Sequence, residues 1–485
     1  MEARDLANPR KMKMKNEGDR ISNLPDTVLH HILSFLDMKY VVQTSVLSRR
    51  WRYVWASLPF LTFKEAHRFG EHDFEHFVDR VLILRDSSSN IQSFRVSCLR
   101  FIDRKDRLYT WVLTALRRNV QKLSLGLCFE KNFRFPNCLY TCKSLKKLEL
   151  LCDDFYFLKL SLPDSMSLPS LKTLILQRVQ FKGDDIPNKI FSSCPVLESL
   201  SIRKCEFRQS NLYINAPKLK HLVIEKCDDV YEETDLDKRS IKLYAPNLLS
   251  FYCDDHILKK YCIENLSALV KAEISMNVEI YGLDGLRSFG DEIRKVCVQR
   301  MMKFLRALQN VETLRLSVWF LEVISGAPAL LEGVPTQFSN LRCLKLETWL
   351  SRDCVNLITY ILEISPNVES LFLEINEDFF GMQPMYPYWD EVWFNSPKIE
   401  VFWEAGVSLQ CMLHHLKYVE IRGVQGRLNE LMFLKILLKN ALVLEKVVLY
   451  PSKEKSSHTK KWLIKVVDQL LTLPRASSSI AILLL

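Results

Sequence analysis

The stretch Ala216-Pro217-Lys218-Leu219-Lys220-His221-Leu222-Val223-Ile224-Glu225-Lys226-Cys227 decides the fold. Its apolar residues fall at Leu219, Leu222 and Ile224, an L-x-x-L-x-L arrangement whose second half alternates with the period of a strand. The same arrangement starts at Val120, Leu145, Leu171, Leu197, Leu219, Leu248, Leu269, Val311, Leu341 and Val368. The intervals are 25, 26, 26, 22, 29, 21, 42, 30 and 27 residues. One short strand per unit cannot bury its own apolar side, so each unit must stack on the next. The expected product is an α/β solenoid, a horseshoe built on a parallel sheet. Leucines point inward, and the intervening residues line a concave face.

Secondary signals agree with this reading. The eighth position after the anchor is Cys128, Cys205, Cys227, Asn277 or Asn376 in five of the ten copies, where a side chain is needed to satisfy backbone groups of the turn. Proline stands two residues before the anchor at Pro169, Pro195, Pro217, Pro246 and Pro366. Its fixed φ and missing N–H suit the first residue of a strand. The 42-residue interval leaves room for an inserted amphipathic helix over Asp291–Gln309, with Ile293, Val296, Phe304, Leu305 and Leu308 inward. Period, anchors and Cys/Asn position together resemble leucine-rich repeats.

Composition narrows the chemistry. Only 13 of 485 residues are glycine, and no GxG, GxxxxGK or GxSxG occurs, so phosphate-cradling loops and nucleophile elbows lack their usual residues. Fourteen cysteines contain no CxxC pair, which argues against zinc ribbons. Met1–Arg20 is polar and charged, so the cysteines are expected to be reduced and mostly buried in a nuclear or cytoplasmic setting. No apolar run approaches the roughly 18 residues of a membrane span. Lys and Arg exceed Asp and Glu by 67 to 57, a net +10. Residues 1–18 read as a disordered leader, with the basic Arg10–Lys15 run in it.

Order is expected from residue 19. After Leu24-Pro25-Asp26, apolar residues at Val28, Leu29, Ile32, Leu33 and Leu36 form one helical stripe. Asp37 can cap a second helix with Val41, Val42 and Val46, and Ser48 a third with Trp51, Val54 and Trp55. So small a helical module buries little on its own. An apolar stripe this broad reads either as a tiny helical core or as a surface part of which docks a partner. With Ile32-Leu33-Ser34-Phe35-Leu36 and Thr44-Ser45-Val46-Leu47-Ser48-Arg49-Arg50-Trp51-Arg52, the segment resembles an F-box. That resemblance implies docking onto a Skp-family linker protein and through it cullin. It assigns the contact to Leu24, Pro25, Leu29, Ile32, Leu33, Leu36, Val42, Leu47 and Trp51. Near the other end, Leu416-Lys417, Gly426, Glu430, Phe433-Leu434, Leu438-Lys439-Asn440-Ala441 and Leu444-Glu445-Lys446 resemble the FBD domain of plant F-box and leucine-rich-repeat proteins. Physically this is one more strand–helix–strand unit that caps the solenoid.

The concave face is near neutral. Its outward positions hold five basic residues (Lys147, Arg203, Lys271, Arg315, Lys345) and six acidic ones (Glu149, Glu225, Asp254, Glu273, Glu347, Glu374). A nucleic-acid footprint is clustered and basic, so a protein target is expected instead. Arg203, His221, Tyr252, Arg315, Lys345 and Phe372 are the candidate contacts. One enzymatic motif occurs, His72-Asp73-Phe74-Glu75-His76, of the form HxxEH. It reads as the wet face of a helix whose buried stripe is Phe74, Phe77, Val78, Val81 and Leu82.

The expected organisation is a leader (1–18), an F-box (19–64), a helical and strand connection (65–117), repeats (118–380) and a C-terminal region (381–485) holding the FBD at about 396–450. The function that the resemblance implies is a non-enzymatic substrate adaptor of a Skp–cullin–F-box ubiquitin ligase, without cofactor, metal or membrane. The alternative is a leucine-rich-repeat scaffold with a vestigial F-box.

Overall fold

The computed structural model describes residues 21, 24–65, 73–98, 105–127, 133–152, 156–160, 163, 165–181, 186–207, 211–227, 240–264, 266–277, 291–325, 337–376, 413–425, 427–452, 475–478 and 480–485. The leader, His72, Cys128 and the stretch 377–412 lie outside them. The chain divides into two units, Met1–Leu127 and Cys128–Leu485.

The first unit opens with three short helices, α1 (Asp26–Leu33), α2 (Met38–Gln43) and α3 (Trp51–Val54). Asp37 caps α2, its Oδ1 accepting the Lys39 N–H at 2.9 Å while Oδ2 accepts the Lys64 N–H at 2.7 Å. One carboxylate thus starts a helix and fastens the next strand to it. Three parallel strands follow, Phe60–Lys64, Ser93–Ser97 and Lys122–Leu127, with α4 (Asp73–Leu84) and α5 (Lys105–Arg117) between them. Leu61, Phe94 and Leu123 are in register and buried, as are Phe63, Val96 and Leu125. The strands after the F-box therefore already follow the repeat pattern. Their anchors are Leu58 and Ile91, both fully buried.

The second unit carries the expected sheet. Its strands are Lys147–Cys152, Thr173–Gln177, Ser199–Arg203, His221–Glu225, Ser250–His256, Lys271–Asn277, Thr313–Leu316, Cys343–Thr348, Ser370–Ile375, Tyr418–Val424, Lys446–Pro451 and Ala481–Leu484. They pair in that order, each parallel to the next. Every repeat anchor is buried and lies two residues before its strand. Each strand but the last then contributes one apolar residue to a continuous inner row: Leu148, Leu174, Leu200, Leu222, Phe251, Ala272, Leu314, Leu344, Leu371, Val419 and Val447. All of these are buried. A second parallel sheet joins Leu212–Asn215, Ser240–Tyr244 and Lys260–Glu264.

The prolines do something other than expected. Pro217 lies in a turn, with the Leu219 N–H donating to the Ala216 carbonyl at 3.0 Å. The equivalent bonds are Leu171 to Leu168 at 3.2 Å, Leu197 to Cys194 at 3.1 Å and Leu248 to Ala245 at 3.1 Å. Proline is the second residue of a β-turn, where its φ is preset, and the strand begins four residues later. The Cys position behaves as read. Arg178, Lys204 and Lys226 take left-handed φ values of 52°, 49° and 41° after their strands. The thiols of Cys205 and Cys227 then donate to the Arg203 and Glu225 carbonyls at 3.4 and 3.5 Å.

The inserted helix is α7 (Asp291–Ala307), after α6 (Ile186–Ser192) and before α8 (Val318–Ser325) and α9 (Arg352–Glu363). Phe304, Leu305 and Leu308 are buried with Cys297, Val298, Met301 and Met302, whereas Ile293 and Val296 are only half-buried. The helix packs by its C-terminal half. In the FBD region, helix Leu428–Asn440 buries Leu431, Leu434, Leu437 and Leu438. Its Glu430 carboxylate accepts the Gln425 and Arg427 N–H groups at 3.2 Å.

Candidate protein-docking surfaces

In the first unit the residues assigned to linker docking split into two groups. Leu29, Leu33 and Trp51 are buried to 0%, 1% and 4% exposure and build the module's own core, so they present no surface. Leu24 and Val42 are half-buried; Pro25, Ile32, Leu36 and Leu47 are exposed. Ile32 and Leu36 are thus on the outer side of the stripe, and Leu29 and Leu33 on its core side. The helix is only eight residues long and turns its core side through Leu29 and Leu33 alone. Large apolar residues that the sequence reading did not assign join the exposed set: Val28, Phe35, Val46 and Tyr53, with Phe35 at 78%, Val46 at 86% and Tyr53 at 71%. So many large apolar side chains exposed on one small module are the composition of an interaction surface. Arg49 and Arg52 lie among them and make no ion pair among the described residues. The module is held rigid from within. His30 Nε2 lies 3.1 Å from the Val54 carbonyl and 3.2 Å from Ser57 Oγ, tying α1 to the end of α3.

In the second unit the outward positions fall into rows across the strands. Tyr252, Glu273, Arg315, Lys345, Phe372 and Glu420 are register partners in that order. Four of the six sequence-selected candidates therefore lie on one line. His221 belongs to the row on one side, with Ser199 and Ser250, and Arg203 to the row on the other, with Glu225 and Asp254. The structure brings all six to the same sheet face.

Electrostatically this face is largely self-paired. Arg315 binds Glu347 at 2.7 Å and Glu374 at 3.4 Å. Burial lowers the Arg315 guanidinium, yet these carboxylates and Glu273 raise it above its ordinary value. The Lys345 ammonium sits 5.2 Å over the Phe372 ring, a cation–π contact. Phe372 in turn lies 5.5 Å from Tyr418. Tyr418 donates to Glu420 at 2.6 Å, and that bond pushes its phenol up to about 12. At the other end burial, then Asp254, Glu225 and Glu273, raise the Tyr252 phenol. Acid and base residues neutralise one another along the face, which suits a protein partner better than a polyanion.

Of the HxxEH motif, His72 lies outside the described residues. Within α4, His76 is exposed, while Glu75 is buried and 3.4 Å from Arg107. Phe74, Val78 and Val81 are buried. No group of three metal-ligating side chains occurs among the described residues. Among them, too, no helix is long and apolar enough to cross a membrane.

These features define a class of protein: a helical docking module joined in one chain to leucine-rich repeats. The chain matches the family model for the F-box domain over residues 21–63 and that for the FBD over 407–449. Residues 108–263 match the model described as FBD-associated F-box protein At5g56370, LRR repeats. Among curated relatives, the putative F-box protein At3g58860 of Arabidopsis thaliana is 30% identical over 73% of this chain and 74% of its own length. The putative F-box/FBD/LRR-repeat protein At1g66290 of Arabidopsis thaliana is 28% identical over 97% of this chain and 94% of its own. The chain belongs to the plant F-box/LRR-repeat family, in the form that carries an FBD.

Proposed function

We propose that this chain is the substrate-recognition subunit of a Skp–cullin–F-box ubiquitin ligase. The F-box binds a Skp-family linker protein, and through it cullin, while the repeat face captures a protein target. The chain itself performs no chemistry. It raises the local concentration of target lysines near ubiquitin activated on another subunit. The place of action is the nucleus, the cytoplasm or both. The observation that carries the reading is the exposed apolar set Ile32, Phe35, Leu36, Val46, Leu47 and Tyr53 on a module whose core is filled by other residues. Nothing in the module's own folding calls for those side chains in water. Arg203, His221, Tyr252, Arg315, Lys345 and Phe372 are the proposed target contacts, with Tyr252 and Phe372 as aromatic anchors.

The test is direct binding of the full chain to a purified Skp-family linker protein. Sub-micromolar affinity lost in Leu47→Asp is the expected result. Absence of binding by the wild-type chain overturns the adaptor reading and leaves a leucine-rich-repeat scaffold.

A further inference from the structure

The outer face of α4 repeats the chemistry of the F-box surface. Phe74, Val78 and Val81 point into the core, so His76, Arg80, Ile83 and Leu84, at i, i+4, i+7 and i+8, form the opposite stripe. Ile83 is 78% and Leu84 62% exposed. Two adjacent large apolar side chains in water add nothing to the stability of α4. Arg80 makes no ion pair among the described residues, as with Arg49 and Arg52 on the F-box.

The end of α4 is locked to the last turn of the F-box. The Asp86 N–H donates to the Ala56 carbonyl at 2.9 Å. Buried Arg85 donates to the Leu58 carbonyl at 2.9 Å and to the Ser89 carbonyl at 2.7 Å. Burial, and then the charge of Arg118, lower Arg85 to about 10, so it remains a charged clamp at neutral pH. Arg118 reaches the same turn, donating to the Asp86 carbonyl at 3.3 Å and to the Ser87 carbonyl. The Ile83–Leu84 pair is therefore held beside the F-box at a fixed geometry.

We propose that the linker-docking surface continues from the F-box onto α4, with Ile83, Leu84 and Arg80 contacting the same Skp-family protein. This rests on the adaptor reading above. The two patches share one composition, exposed apolar side chains with unneutralised arginines beside them. They fit a single partner surface of apolar residues rimmed by carboxylates.

The experiment measures affinity of the full chain for a purified Skp-family linker protein. Ile83→Asp with Leu84→Asp is expected to weaken binding about tenfold or more, as loss of a buried apolar contact does. Arg80→Glu is expected to slow association and flatten its salt dependence. Tyr109→Asp, an exposed change on α5, serves as the control and is expected to leave affinity unchanged. In the wild-type complex, amide exchange over residues 80–85 is expected to slow. If the wild-type chain binds and the double variant binds equally, or exchange there is unaltered, the extension onto α4 is wrong while the F-box reading stands. If the wild-type chain does not bind at all, both fall together.

Discussion

Asp255 and Lys259 form an ion pair at 3.0 Å with side chains only 1% and 3% exposed. Tyr261 donates to the same carboxylate at 2.5 Å, and the Lys259 ammonium also reaches the Cys227 carbonyl of the preceding repeat. Asp255 directly follows Asp254 on the strand that carries Tyr252, and Lys259 lies just beyond the end of that strand. Such a pair contributes little against an apolar replacement, but breaking one partner strands the other charge at a cost of about 3–5 kcal/mol. Lys259→Met is therefore expected to be strongly destabilising. Asp255→Asn combined with Lys259→Met is expected to lose less than the single change. Denaturant midpoints of the three proteins check the order.

The division of the F-box into core and surface makes a separate prediction. Trp51→Ala removes a side chain 4% exposed and should cost about 3–5 kcal/mol of stability. Any loss of linker binding it causes then follows from unfolding. Val46→Asp changes a residue 86% exposed, so the melting temperature should stay within a degree or two while binding falls. Thermal melts run beside the binding assay separate the two effects. A Val46→Asp protein that melts far below wild type contradicts the placement of that side chain.

How much of this was legible in the sequence differs between the parts. Every L-x-x-L-x-L anchor from Val120 to Val368 begins a strand two residues later, because a row of leucines at one register has only one way to be buried. The two units before them escaped, since Leu58-Pro59-Phe60-Leu61-Thr62-Phe63 and Ile91-Gln92-Ser93-Phe94-Arg95-Val96 fill the same positions with phenylalanine, isoleucine and valine. The prolines were misplaced by four residues, because a preset φ serves a β-turn as well as a strand start. The division of the F-box into core and surface residues was least legible. In a helix as short as α1, an i, i+3, i+4 stripe does not say which of its members reach the core. The alternating charges on the repeat face were countable, but their pairing across strands, as in Arg315 with Glu347 and Glu374, needs the register.

A pH effect follows from the edge of the sheet. Glu198 accepts from Lys172 at 2.7 Å and from Lys220 at 3.2 Å, one strand to either side. These two hydrogen bonds, then the charges of both lysines, lower the Glu198 carboxyl below its ordinary value. A carboxyl lowered in the folded state stabilises above its unfolded value and loses that contribution as pH falls through the folded one. Glu198→Gln should therefore be less stable than wild type at neutral pH, and the gap should close in acid, below about pH 4. Melting temperatures of both proteins across that range decide it. A gap that is constant with pH assigns the effect to packing instead.

Gly423 supplies the last prediction. It stands at φ 78° in strand Tyr418–Val424, at the point where the pairing with Lys446–Pro451 shifts register. A Cβ there would collide with the Ile375 carbonyl oxygen of the neighbouring strand. The left-handed backbone and the close approach both require glycine. Gly423→Ala must either flatten the bulge or push the strands apart, at a cost of at least about 1–3 kcal/mol for the backbone strain alone. The same strand carries Tyr418, Glu420 and Arg422, so the displacement should disturb their hydrogen bonds and the contact of Phe372 with Tyr418. Gly126 is the internal comparison, since its Cβ would come no closer than 3.4 Å, to the Ser97 hydroxyl. Gly126→Ala is expected to be near neutral. Equal stabilities of the two variants would show that the bulge at Gly423 relaxes without loss.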